Sequence, residues 1–234
     1  ANLVLSGDLI VKGTDRIFFK NDVEVSVGTG KTIYLQTDSL DLPQNRSESI
    51  TANGGTLIIE TTTLNRGINL ASPVGGVGVL DITNTDLAAL NPGFERIIIG
   101  HEVDGKAETG AGNVRIGAIA DDEAYTFRDS IEVYGNNITV EDYIDEDRLL
   151  WSLDDIALIA ENNIFLKNGV MVETRPSLAL GNTLTLFSEK GRVVQENSLN
   201  LPASEALRAE HLNVQAATGI TLLWTELETL TAIN

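Results

Sequence analysis

The residues best suited to chemistry are acidic. The run Glu141-Asp142-Tyr143-Ile144-Asp145-Glu146-Asp147, backed by Asp154-Asp155, supplies the hard oxygen ligands that Ca²⁺ prefers. Its spacing matches no EF-hand loop, and no Gly-Gly-x-Gly-x-Asp nonapeptide occurs in the chain. Glu141, Asp142, Asp145, Glu146 and Asp147 are therefore weak calcium candidates, and the preferred reading is a solvated loop. Asp121-Asp122-Glu123 is a smaller case of the same kind. No cofactor is expected beyond that calcium.

A second constellation would serve hydrolysis of a polysaccharide, where paired carboxylates work beside a His and a basic residue. Asn84-Thr85-Asp86, Gly100-His101 and Asp121-Asp122 look like fragments of such a site in pectin-degrading β-helix enzymes. Here the His precedes the Asp pair, whereas those enzymes carry it after, and their basic strand motif is missing. His101 and His211 are the only histidines. With no partner at ligand spacing they read as surface turn residues rather than a zinc site. No Ser stands in a Gly-x-Ser-x-Gly elbow. Trp151, Trp224 and Tyr34 are the side chains that could stack on surface glycans, although such aromatics more often fill or flank a core. Thr139, Thr185 and Thr221 should face outward from their strands, but Tyr34, Arg115 and Phe165 share that position elsewhere. The mixed rank argues against an ice-binding face. No catalytic residue emerges, and the chain is not expected to be an enzyme.

The elements that position these residues are short strands. Val114-Arg115-Ile116, Ile138-Thr139-Val140 and Ile164-Phe165-Leu166 each follow a Gly/Asn turn, at spacings of 24 and 26 residues. A short strand recurring once per two dozen residues predicts coils stacked on one another. Val23-Glu24-Val25-Ser26-Val27 alternates strictly, as a half-buried strand does. Ile33-Tyr34-Leu35 and Leu57-Ile58-Ile59 lie 24 residues apart, and Arg96-Ile97-Ile98-Ile99 is strongly β-branched. Leu149-Leu150-Trp151 and Ile156 to Ala160 read as two strands parted by Asp154-Asp155. Leu178-Ala179-Leu180 and Leu199-Asn200-Leu201 continue the pattern. Asp86 to Leu90 is expected to make a short helical turn. Ser204 to His211 is helix-forming in composition and is expected to pad a turn before Leu212. Asn at the turns suits left-handed backbone and side-chain ladders.

Composition fits the same picture. Of 234 residues 42% are hydrophobic but only 5% aromatic, so Val, Ile, Leu and Ala must make the core. The net charge of −18 argues against nucleic acid and against anionic membranes, which both need a positive face. The absence of Cys rules out disulfides and thiolate metal sites. No apolar run reaches the 18 or more residues of a membrane helix. Ala1-Asn2-Leu3-Val4-Leu5 has no basic n-region, so the chain reads as a mature subunit or a slice of a longer protein. Both ends are strand-like with no capping helix. Leu3, Val4, Leu5 and Leu230, Thr231, Ala232 are thus the candidate assembly edges. The expectation is one elongated module over residues 1–234, of roughly ten coils, about 50 Å long at ~4.8 Å per coil.

Gly93-Phe94-Glu95-Arg96-Ile97-Ile98-Ile99-Gly100, followed by Gly112-Asn113-Val114-Arg115-Ile116-Gly117, carries a family resemblance. So do Phe127-Arg128-Asp129-Ser130-Ile131-Glu132-Val133 and the stretch from Leu212 to Asn234. Across residues 50–234 the order of these motifs resembles the repetitive regions of giant bacterial surface exoproteins of the filamentous haemagglutinin type. The resemblance implies an all-β fold, a right-handed parallel β-solenoid. It also implies an extracellular, cell-surface location and a role in adhesion or filament building. The implied partners are further copies in head-to-tail self-association, or continuation of a longer chain. It transfers no site residues.

Overall fold

Ile33 and Leu35 are apolar where Thr32, Tyr34 and Gln36 are polar or amphipathic, and the strand Thr32–Gln36 buries the first set and turns the second outward. In the computed structural model this strand is one rung of a long parallel ladder. The structure describes residues 2–43, 48–71, 78–117, 126–141, 148–167, 170–174, 181–196, 207–223 and 225–234.

The main ladder runs through Leu9–Lys12, Thr32–Gln36, Thr56–Glu60, Arg96–Ile99, Ile131–Gly135, Ile156–Ala160, Thr183–Ser188 and the C-terminal halves of Leu207–Ala216 and Thr225–Ile233. Every pairing is parallel. One inward rank reads Leu9, Ile33, Leu57, Ile97, Ile131, Ile156, Leu184, Leu212, Leu230. The next inward rank, two residues on, runs from Val11 through Leu35 and Leu158 to Ala232 in the same register. Stacking like on like keeps each apolar layer continuous, and a slip of one residue would turn every rank inside out.

A second ladder joins Val79–Ile82, Gly67–Leu70, Val114–Ile116, Ile138–Val140, Ile164–Leu166, Arg192–Gln195 and Gly219–Thr221. Val114, Ile138 and Ile164 are direct neighbours in it, as the 24- and 26-residue spacing predicts. A third line holds Thr126–Phe127, Arg148–Ser152, Val170–Thr174 and the N-terminal halves of the last two long strands. Near the N-terminus Asn2–Val4, Glu24–Ser26 and Ile50–Thr51 form a separate parallel sheet, and Ile17–Phe18 pairs with Leu40–Asp41. One continuous apolar cluster of Val, Ile, Leu and Ala, with Phe94 and Phe127, runs through these sheets. The fold is nearly all β with long parallel sheets, compatible with a parallel β-helix.

Four features differ from expectation. The main ladder has nine successive strands among the described residues, where roughly ten coils are expected. Its spacing is 24 residues from Leu9 to Ile33 but 40 from Leu57 to Ile97 and 34 from Ile97 to Ile131, so two of the connections between its strands carry long excursions. The first excursion holds the short helix Asn84–Ala88, which starts two residues earlier than expected because Thr83 and Asp86 form a capping box. The second holds an antiparallel hairpin, Glu102–Val103 with Lys106–Ala107, turned by Asp104 and Gly105 at positive φ.

Residues Leu207 to His211 are strand rather than turn padding. Leu207 and Ala209 point inward and Arg208 and Glu210 do not. This alternation, paired to Val172 and Glu173, outweighs the helix-forming composition. Finally, the non-glycine residues at positive φ among those described are Asp22, Glu48, Ala71 and Asp104, with no Asn among them. The turn Asn side chains instead form a ladder. Asn137 Nδ2 donates to Asn113 Oδ1 at 2.9 Å, and Asn163 Nδ2 donates to Asn137 Oδ1 at 2.9 Å.

Candidate functional site

The densest polar constellation lies where the main ladder turns its corner. The position after Gln36 is Thr37, and the positions stacked with it are Thr61, His101, Gly135, Ala160 and Ser188. All but one are small, as a tight corner requires. His101 is the exception, only 8% exposed, so it is no surface turn residue. Gly100 makes room for it: the backbone there has φ +98, and a Cβ would stand 2.0 Å from the Tyr134 carbonyl oxygen.

The hydrogen bonds around His101 follow from donor counting. Thr61 Oγ1 lies 2.8 Å from the Thr63 carbonyl oxygen and spends its one proton there. It must then accept from His101 Nε2–H, 2.9 Å away. Nδ1 faces Glu60 and Glu108, each with a carboxylate oxygen at 3.6 Å. Glu60 also accepts from the Tyr34 hydroxyl and, at 2.7 Å, from Gln36 Nε2. Burial and the Glu60 carboxylate push the Tyr34 hydroxyl pKa far up, so it stays a proton donor.

A Thr, a His and a carboxylate in contact are the ingredients of nucleophilic catalysis. The directions are wrong for it. Thr61 is fully buried, and its hydroxyl proton goes to a carbonyl rather than to the His. What the cluster does is hold the hairpin. The Glu108 amide donates to the His101 carbonyl oxygen at 3.0 Å, closing the hairpin's base. Ala107 packs on Ile98, Tyr134 and Ile159, the outward face of the main ladder. Lys106 Nζ reaches Glu189 at 3.0 Å. Gly110 N donates to Glu161 at 2.9 Å, and Glu161 also takes Lys190 Nζ at 2.6 Å. That Lys190 bond, with the Gly110 amide, holds the Glu161 carboxyl below its usual range. The segment from His101 to Gly112 is thus a strap across the outside of several rungs. Asp104-Gly105 was the available signal for it.

The other sequence candidates are scattered. Asp86 is buried in the helix cap and accepts from Leu42 N at 2.8 Å and from Thr83 N at 2.9 Å. Burial pushes its carboxyl pKa up. Its partners are unconnected with His101, and Asp121 and Asp122 lie outside the described residues. His211 sits on the strand Leu207–Ala216 beside Thr229, not in a turn. Of the calcium candidates, Glu141 is engaged by Arg115 Nε at 3.1 Å, and Asp142, Asp145, Glu146 and Asp147 lie outside the described residues. Among the described residues no group of three or more His, Asp or Glu side chains is arranged to hold a metal ion. Tyr34 is committed to Glu60 and lies 5.1 Å under Lys12, while Trp224 and the Trp151 side chain are outside the described set. Thr139 and Thr185 do face outward, in ranks that also hold Arg115, Phe165 and Tyr34.

The candidate edges lie at the two ends of the sheets. Asn2–Val4 is the outermost strand of its sheet and pairs with Glu24–Ser26, leaving Val4 73% exposed. Leu5 extends that pairing by one bond to Ser26 O. Leu230, Thr231 and Ala232 lie in Thr225–Ile233, which pairs with Leu207–Ala216, and Leu230 is 55% exposed. The sequence reading missed Leu9–Lys12, the edge of the main ladder itself, where Ile10 is 65% exposed. Extending the 24-residue spacing back from Leu57 through Ile33 reaches it.

Compared with known proteins, the chain matches no family model, no curated protein and no solved structure.

Proposed function

We propose that this chain is a structural and adhesive module of a bacterial extracellular filament or giant cell-surface adhesin. In this reading the three lines of strands close into a right-handed β-solenoid, the hand that parallel crossover connections overwhelmingly take. The module works by stacking: the open edge of one coil templates the next. The haemagglutinin-type motif order supports the surface and adhesive part of the reading.

The single observation that carries it is the main ladder. Among the described residues it runs parallel and in register through nine strands and ends on both sides in strands with one partner each. At both ends core residues such as Leu9, Val11, Ile220 and Leu227 are only partly buried. An edge of this kind is a template for further strands unless something blunts it. The test is electron microscopy of the purified chain at raised concentration. Rods longer than one module are expected, and compact monomers alone at every concentration would overturn the proposal.

A further inference from the structure

We infer that the partner at these edges is a second copy of the same chain, joined head to tail at one register. Thr225–Ile233 of one copy pairs in parallel with Leu9–Lys12 of the next, placing Leu230 beside Leu9, Thr231 beside Ile10 and Ala232 beside Val11. The inference rests on the stacking function proposed above and adds the partner, its polarity and its register.

The register follows from the ladder. Its inward rank passes from Leu9 to Leu230 without a slip, through every pairing of the main sheet. The next position in that rank lies one step beyond Leu230. The residue type and face it needs are those of Leu9, which begins the rank.

The polarity follows from the hydrogen bonds. A parallel strand's two edges differ, and the edge free on Leu9–Lys12 is the one its successors all use toward the strand before them. Thr225–Ile233 presents the complementary edge. The order of strands along the chain is also alike at both ends: Leu9–Lys12 stands between Asn2–Val4 and Ile17–Phe18, each of a different sheet, and the C-terminal half of Leu207–Ala216 stands between its own N-terminal half and Gly219–Thr221. Stacking head to tail lays each position on its own kind. A head-to-head contact turns one coil over, so that strands of one line meet those of another.

Charge opposes the tail-to-tail contact. The sequence of Thr225–Ile233 holds Glu226 and Glu228 and no Lys or Arg, so two such strands side by side would pair acidic with acidic sequence. The first coil carries Lys12, Arg16 and Lys20 against Asp8, Asp15 and Asp22, so it opposes those glutamates less than a second copy of the same strand does.

The chain has no Cys, so disulfide trapping reads the register without background. Ile10 and Thr231 are both exposed and outward-facing. Within one molecule they lie about 38 Å apart, eight rungs at ~4.8 Å, and cannot join. Between copies in the inferred register their Cα atoms stand about 4.8 Å apart, inside disulfide range. The double variant I10C/T231C, oxidised at the concentration where rods form, is expected to run as a series of covalent multimers that collapse on reduction. The variant I10C/T229C, offset by two residues along the strand, is expected to stay largely monomeric. Circular dichroism of each variant verifies that the fold persists. Rods without cross-linking of I10C/T231C, or with better cross-linking of the offset pair, would overturn the register and leave the stacking function standing. Covalent dimers from I10C alone would overturn the polarity. No association of the wild-type chain at any concentration would overturn both.

Discussion

Replacing Asn137 by Ala tests whether successive turns are bonded as stacked coils. Asn137 sits between two like residues. Its Nδ2 donates to Asn113 Oδ1 at 2.9 Å, and its Oδ1 accepts from the Asn163 backbone N at 3.1 Å and from Asn163 Nδ2 at 2.9 Å. The substitution removes all three bonds. At about 1 kcal/mol net for each, the full loss would be about 3 kcal/mol. Asn137 is only half-buried, so water recovers part of this. Asn113 Oδ1 also keeps the Asn137 amide, and Asn163 Oδ1 keeps the Arg192 amide. The expected destabilisation is therefore about 1–2 kcal/mol. Asn213→Ala, on an exposed outward position of the strand Leu207–Ala216, is the control and should cost less than about 0.5 kcal/mol. Urea unfolding followed by far-UV circular dichroism reads both as midpoint shifts at unchanged slope. Equal midpoints for the two variants would show that the Asn side chains do not bond one coil to the next.

Two further expectations follow from the same contacts. Gly112→Ala would set a Cβ 1.9 Å from the Arg66 carbonyl oxygen, so the backbones must part at a cost of about 1–3 kcal/mol or more, whereas Gly7→Ala meets nothing within 4 Å and should be neutral or stabilise by up to about 1 kcal/mol; thermal unfolding ranks the pair, and a harmless Gly112→Ala would contradict the close coil spacing. Glu161 has its carboxyl pKa held below the unfolded-state value of 4.5, so its contribution is present above that pH and lost as pH falls through the lower folded value. The wild type should then exceed Glu161→Gln in stability at neutral pH, with the gap closing below about pH 4.5; a gap that is constant with pH would mean the Lys190 and Gly110 bonds do not depend on the charge.

Much of the ladder was legible because stacking rewards a local pattern. Val114, Ile138 and Ile164 each end a Gly/Asn turn, and their spacing alone identifies them as neighbours. The period of two at Thr32–Gln36 and Thr183–Ser188 announces which residues face the core. The strand character of Leu207 to His211 was hidden because it depends on Val172 and Glu173, more than thirty residues away, and local composition favours another state. His101 was misjudged for a related reason. Nothing near it in sequence says that Gly100 will turn it into a corner above Thr61, 40 residues earlier. Spacings along the main ladder that vary from 18 to 40 residues erase the periodicity that would have aligned the two. The corner cluster is consequently a product of register, visible only once the rungs are stacked.

The central claim is that stacking continues across the module junction at the spacing found within a module. X-ray diffraction from concentrated, aligned rods measures this directly. Nine rungs at ~4.8 Å predict a meridional reflection near 4.8 Å and an axial repeat of about 43 Å. A meridional 4.8 Å reflection with a repeat well above 43 Å would mean that modules join through something other than their strand edges. An equatorial 4.8 Å reflection would mean that the strands do not stack along the rod at all.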